Sequence, residues 1–372
     1  MESNPLKQLT RLGQSIWLDY INRQMLNNGE LKKMIHDDDL RGMTSNPSIF
    51  EKSIAEGKDY DADIQTMIKA GKSVTAIYDA LTIADVQKAA DEFRPVYEST
   101  QGIDGYVSLE VNPHLAHDTK KTIEEARRLW KALNRPNVFI KVPATLAGLP
   151  AIQQLISEGI NVNVTLLFGL PRYRQVADAY ISGLEKRVAH QEDVSHIASV
   201  ASFFLSRIDV LIDPLLKEKS TRNEEMGDFV HPLQGQMAIA SAKMAYQIFL
   251  ELFHSPRFKA LQEKGAHVQR LLWASTSTKN PQYSDVKYVD ALIGPQTVDT
   301  VPMETFNAYR DHGDPDLRLE TDIQKSASDF QLLSEVGIDI DHVTQQLEDE
   351  GVDKFNQSYD KLIKTLNEKI GR

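Results

Sequence analysis

Residues 138–142 read Val-Phe-Ile-Lys-Val, an apolar run broken by a single cation. So short and so continuously apolar a segment suits a strand covered on both faces, the situation in a parallel sheet. Seven more such runs occur at Ser15–Tyr20, Gly42–Ser45, Tyr106–Val111, Val162–Phe168, Ile197–Phe204, Arg270–Ala274 and Thr297–Val301. Amphipathic stretches separate them. Residues 119–133 put Ile123, Ala126, Leu129, Trp130 and Leu133 on one stripe behind Asp118 as N-cap. Residues 171–190 start at Pro171, and residues 231–253 align Met237, Ala240, Met244 and Ile248.

Strands alternating with helices predict an α/β chain with a parallel sheet and right-handed crossovers. Eight such units favour a closed (β/α)8 TIM barrel over an open doubly wound sheet. About 60 residues between the second and third runs read as helical, including 51–95, and so do residues 320–370. Both are expected to decorate one barrel, covering its bottom or forming a dimer contact. Residues 1–372 then make a single domain, since barrels run to ~250 residues before insertions are added.

The 372 residues carry 42 Lys and Arg against 53 Asp and Glu, a formal charge of −11. That balance argues against nucleic-acid binding, which needs a basic surface. It leaves room for a local basic pocket. Cysteine is absent, so disulfides, thiolate nucleophiles and cysteine-ligated metals are excluded, and a reducing, cytoplasmic setting fits. The opening MESNPLKQLTRLGQ lacks the features of a signal peptide, and no run of ~18 apolar residues would span a membrane. Monomer and homodimer are both compatible with this composition.

No two glycines stand one residue apart, and there is no P-loop and no G-x-S-x-G elbow. Nicotinamide chemistry, NTP hydrolysis and serine hydrolysis lose ground accordingly. His114, His117 and Asp118 could be read as a metal cluster, and His36–Asp39 as a magnesium chelate. A loop with a helix cap and a polar turn are the preferred readings, so no metal is expected.

Barrel chemistry is built at the C-terminal ends of the strands. Those ends here carry Asp19, Asn46, Glu110, Lys141, Asn163, Thr165, Ser202 and, shortly after, Arg207. Lys141 is the sharpest. A lysine inside VFIKVP either snorkels outward or sits in the barrel, where burying an ammonium is costly. Burial lowers a lysine pKa and frees an amine to attack a ketone. Imine formation, dehydration and C–C cleavage each move a proton, which requires a carboxylate and a relay hydroxyl beside the amine. Taken singly, Asp19 would be a helix cap, Glu110 an ion-pair partner, Asn46 a turn initiator before Pro47, and Ser202 and Arg207 a strand-end hydroxyl and a surface charge. Their joint placement at successive strand ends favours function.

The segments WLDY (17–20), GMTSNPSIF (42–50), VSLEV (107–111), FIKVPAT (139–145) and NVNVTLLF (161–168) resemble the transaldolase family, and LLWASTSTKNP (271–281) is similar to its longer bacterial branch. The resemblance runs from about residue 10 to 315. It implies a class I aldolase-type barrel, with neither cofactor nor metal, that moves a dihydroxyacetone unit between sugar phosphates in the non-oxidative pentose phosphate pathway. Lys141 would form the Schiff base. Glu110 and Thr165 would hold a catalytic water, and Asp19 would take the C4-hydroxyl proton. Asn46 and Asn163 would bind the retained three-carbon unit, and Ser202 and Arg207 the phosphate. Ser275 and Lys279, after the seventh strand, are further phosphate candidates.

Two alternatives stand beside this. Fructose-6-phosphate aldolases, which free the dihydroxyacetone, typically have tyrosine where Phe204 stands and glutamine where Glu110 stands, so both positions read as transferase. A non-catalytic sugar-phosphate-binding barrel would have no need of Lys141, Glu110 and Asp19 together.

Overall fold

The computed structural model describes residues 4–222 and 227–370. Eight strands, β1 (Gln14–Asp19), β2 (Gly42–Thr44), β3 (Tyr106–Glu110), β4 (Val138–Pro143), β5 (Val162–Leu167), β6 (Ser199–Phe204), β7 (Arg270–Ala274) and β8 (Thr297–Val301), form a closed parallel barrel in sequential order. Every strand is covered by a helical layer, which is why the runs are apolar on both faces. The expected strands are all present, with ends displaced by two residues at most.

Helix Thr119–Leu133 has the expected bounds. Asp118 Oδ1 accepts from the Lys121 amide at 3.0 Å, and Asn134 closes the helix in the left-handed region with φ 44°. Helix Leu170–Ala189 lies one residue from its expected bounds. The stretch 231–253 is a correction, because the helix begins only at Met237. His231–Leu233 is a 3₁₀ turn, and Gly235, with φ +65°, bends the chain before the helix starts.

Interior side chains stack in layers. At the bottom, Arg270 donates to Ser15 Oγ at 2.8 Å, to the Ile103 carbonyl at 2.7 Å and to Asp104 at 2.7 Å. Above it, Trp17, Phe139 and Tyr106 form an aromatic layer, with Tyr106 and Phe139 centroids 4.3 Å apart. Gly42 pairs in register with Trp17, and a Cβ there would fall 2.5 Å from the indole, so the GMTS run needs its glycine. The top layer is polar. Arg270→Ala would strand the Asp104 carboxylate in the barrel floor, and a loss of about 3–5 kcal/mol is expected in denaturant unfolding.

Asp299 of β8 is fully buried, and neither carboxylate oxygen has a hydrogen-bond partner among the described residues. Burial pushes its carboxyl up to about 8 against the pull of the nearby Thr276 hydroxyl. The folded chain therefore keeps a proton that the unfolded chain releases near pH 4. The stability this contributes is full below that pH and is lost as pH rises toward 8, at up to about 1.4 kcal/mol per unit. Asp299→Asn should flatten that decline between pH 5 and 8, as measured by urea unfolding across pH.

The helices after β2 are Pro47–Glu56, Asp61–Lys69 and Val74–Ser99, and the last runs along the barrel, from Tyr97 against Tyr106 at the start of β3 to Tyr78 near Glu110 at the C-terminal end. The C-terminal helix Ile340–Ile370 crosses that same end and does not cover the bottom, a second correction. Thr344 lies against Gly169 after β5, and Gly351 against Leu166 and Arg207. Further along, Ser358 Oγ is 2.7 Å from Ser48 Oγ, Tyr359 stacks edge-on against Tyr78, and Lys361 pairs with Glu51 at 2.9 Å.

Candidate active site

Register assembles the polar layer. Glu110 pairs with Lys141 across β3 and β4, and Lys141 with Asn163 across β4 and β5. In parallel strands paired residues project to the same side, so the acid, the amine and the amide form one row. Lys141 Nζ donates to the Ser45 carbonyl at 3.1 Å and lies 3.8 Å from Glu110 Oε2. Both side chains are almost fully buried.

Burial pushes the Glu110 carboxyl up to about 7; the Lys141 ammonium opposes that and Asp19 adds to it. A carboxyl in that range exchanges protons readily at neutral pH. Both Glu110 oxygens and Thr165 Oγ1 are buried without a hydrogen-bond partner among the described residues. Asp19, paired in register with Thr44 of β2, accepts from Thr44 Oγ1 at 2.7 Å, and that hydroxyl is 2.8 Å from Thr300 Oγ1 of β8. Burial raises the Asp19 pKa, while Lys141 and the Thr44 hydrogen bond hold it down.

Asn163 Nδ2 donates to Ser108 Oγ at 3.0 Å, and Ser202 Oγ donates to Asn163 Oδ1 at 2.6 Å. The Ser202 hydroxyl is engaged with the amide beside Lys141, and Ser202 and Arg207 line the same cavity. Four residues separate the two in sequence; Ser202 lies within a strand and Arg207 in the first turn of helix Ser206–Arg222. Asn46 has two uses. Its Oδ1 caps helix Pro47–Glu56 by accepting from the Ile49 amide at 3.1 Å, and its side chain also lines the cavity.

A cavity of about 230 Å³ opens at Lys141, lined also by Asp19, Asn46, Ser202, Phe204 and Arg207 among others; Glu110, Asn163 and Thr165 are not in its lining. Ser275 and Lys279 join its wall after β7, with Lys279 Nζ 2.6 Å from Ser277 Oγ. Arg207 Nη1 is buried with no hydrogen-bond partner among the described residues, and the guanidinium carbon lies 5.5 Å from the Phe204 ring centre. Burial pulls the Arg207 pKa down and Glu350 of the C-terminal helix pulls it back. The cavity thus brings the Lys141 amine, the Asp19 carboxylate and the Arg207 guanidinium into one lining, with the Glu110 carboxylate 3.8 Å from the amine outside it. Arg and Lys here suit an anion, since a guanidinium fork can donate two hydrogen bonds at once.

Thr44, Thr300, Ser45, Ser108 and Phe355 also belong to the site or its supports, and sequence reasoning passed over them. Thr44 and Thr300 carried a usable signal, being hydroxyls on the inward face at strand ends. Phe355 carried none, because it reaches the cavity from the far end of the chain. His114 pairs with Asp360 of the C-terminal helix at 2.8 Å, and Asp118 is the helix cap. His36 pairs with Asp37, Asp38 with Arg310, and Asp39 with Arg41.

Residues 16–366 match the family described as Transaldolase/Fructose-6-phosphate aldolase. Among curated relatives, the transaldolase of Trichodesmium erythraeum is 52% identical over 374 aligned positions, covering 100% of this chain and 98% of that protein. Transaldolase 2 of a Nostoc species is 48% identical with the same coverage, and the transaldolase of Saccharopolyspora erythraea is 47% identical over 98% of this chain and 97% of its own length. Half of all positions shared over the full length, with the acid–amine–amide row in register at the mouth of a closed barrel, leads to one conclusion: the chain belongs to the transaldolase/fructose-6-phosphate aldolase family, and it is an enzyme, a transferase of the transaldolase type.

Proposed function

We propose that the chain carries a dihydroxyacetone unit from a ketose phosphate, fructose 6-phosphate or sedoheptulose 7-phosphate, to an aldose phosphate, erythrose 4-phosphate or glyceraldehyde 3-phosphate, through an imine on Lys141. The observation that carries this reading is the Glu110–Lys141–Asn163 row, with the amine 3.8 Å from the acid. The neutral Lys141 amine attacks C2 of the ketose. Glu110, with Thr165, holds a water that passes protons as the carbinolamine loses hydroxide and becomes an iminium. Asp19 removes the C4-hydroxyl proton. The C3–C4 bond then breaks, its electrons flow to the iminium nitrogen, and the aldose phosphate leaves an enamine behind.

Asn46, Asn163 and Ser202 hold the hydroxyls of that enamine until an acceptor arrives, and Phe204 closes the side of the cavity where a tyrosine would help release it. Ser202 is assigned to the three-carbon unit because its hydroxyl is already coupled to Asn163. Arg207 binds the phosphate, with Ser275 and Lys279 from the neighbouring loop. The helices after β2 and at the C-terminus belong with the barrel as one domain. The reading places the enzyme in the cytoplasm, as a monomer or homodimer, on small phosphorylated sugars; among the described residues no helix is long and apolar enough to cross a membrane.

The test is a product assay with fructose 6-phosphate and erythrose 4-phosphate. Sedoheptulose 7-phosphate formed in step with glyceraldehyde 3-phosphate supports transfer. Free dihydroxyacetone at a comparable rate would make the chain a lyase. Arg207→Ala should raise KM for both sugar phosphates about 10- to 100-fold, the value of hydrogen bonds to a charged group, with a smaller change in kcat.

A further inference from the structure

Each half-reaction through an imine moves one water molecule, out on dehydration and in on hydrolysis. A sugar phosphate reaching from Lys141 to Arg207 would stop the substrate cavity while that water has to travel. A second cavity, of about 300 Å³, reaches Glu110. Tyr78, Asp79, Thr82, Glu110, Arg128 and Tyr359 are among its lining residues, and it shares none with the substrate cavity. Glu110 lines the second cavity and Lys141, 3.8 Å away, the substrate cavity.

The second cavity is built of polar groups. Arg128 bridges Asp79 at 2.8 Å and Glu125 at 2.7 Å along its wall. The Tyr78 hydroxyl is close enough to Glu110 to feel its charge. Tyr359, from the C-terminal helix, stacks edge-on on Tyr78 with centroids 5.4 Å apart. Among the described residues neither oxygen of the buried Glu110 carboxylate has a hydrogen-bond partner, the Lys141 amine being 3.8 Å away, so the acid is free to serve water.

We propose that this second cavity is a water and proton port for Glu110, through which the water of imine formation and hydrolysis exchanges with solvent while substrate fills the main cavity. The inference rests on Lys141 being the imine residue. In dehydration, protonated Glu110 gives its proton to the carbinolamine hydroxyl. The C2–O bond breaks with its electron pair leaving on water, and the nitrogen lone pair closes the C=N bond. The water passes into the port, and the Glu110 carboxylate regains a proton from solvent along the same path. Hydrolysis runs these moves in reverse.

Two variants narrow the port without touching the catalytic groups. Thr75→Trp fills its exposed rim. Thr82→Leu fills its wall and removes only a hydroxyl bonded back to its own helix at Tyr78. The full-length enzyme is given fructose 6-phosphate alone in H₂¹⁸O, and ¹⁸O appearing at C2 is followed by mass spectrometry beside the borohydride-trapped imine level. Both variants should slow exchange on the order of tenfold or more, with the equilibrium imine level and sugar-phosphate affinity unchanged, and Thr75→Ser should match the parent. Parent-rate exchange in both filled variants would overturn the port, because water would then be using the substrate mouth. Absence of any trapped imine on Lys141 in the parent enzyme would instead remove the reading beneath it, and the port with it.

Discussion

Lys141→Met is expected to abolish transfer while leaving a folded, ligand-binding barrel. The methionine keeps the length and volume of the side chain in a nearly fully buried position and removes the amine. Without a covalent intermediate the C3–C4 bond has no electron sink, so kcat should fall on the order of 10⁴-fold or more, the scale seen when a nucleophile is removed. Binding of a sugar phosphate, followed by calorimetry, should persist, because the guanidinium of Arg207 and the amide of Asn163 are untouched. Losing the cation also removes one of the groups that favour Glu110 and Asp19 as carboxylates, so both acids should hold their protons to higher pH. A variant that still turns over at a measurable fraction of the parent rate would be incompatible with an imine at this position.

Glu110→Gln is expected to separate binding from proton transfer. The amide has the same shape but cannot take or give the proton, and general acid–base groups contribute about 10²- to 10⁴-fold. The loss should fall on kcat and on the rate of imine formation, with KM nearly unchanged. In the parent, the Glu110 carboxyl lies up at about 7, so the pH profile of imine formation should bend near neutrality. That bend should vanish in the variant, leaving the profile set by the remaining groups. Pre-steady-state trapping across pH 5–9 measures both effects. A bend that survived Glu110→Gln would assign it to another group, with Asp19 the first candidate.

The barrel was legible because its strands are short, apolar on both faces and regularly spaced by helical stretches. The ends blurred where local apolarity outran pairing. Ile197 and Ala198 extend the apolar run before β6, but the Ile197 amide is turned back to the Val194 carbonyl at 3.2 Å. The row of Glu110, Lys141 and Asn163 was legible as polar residues at adjacent strand ends, and register then set them side by side. That Ser202 bonds to Asn163 was not legible, because the partner lies on the neighbouring strand, 39 positions away. The position of the C-terminal helix was not legible at all. Its docking depends on pairs such as Tyr359 with Tyr78 and Ser358 with Ser48, which are distant in sequence and carry no local periodic signal. Close approach matters there too: a Cβ at Gly351 would come within 3.0 Å of Leu166 Cδ2, where β5 bulges between Val164 and Leu167.

The claim on which the mechanism stands is a covalent three-carbon intermediate on Lys141. Borohydride reduction in the presence of fructose 6-phosphate alone, followed by peptide mass mapping and assay of glyceraldehyde 3-phosphate, tests it directly. The account predicts a reduced dihydroxyacetone adduct on the peptide containing Lys141, with aldehyde released in step with enzyme and no further. An adduct on another lysine, or none on any lysine, would contradict it.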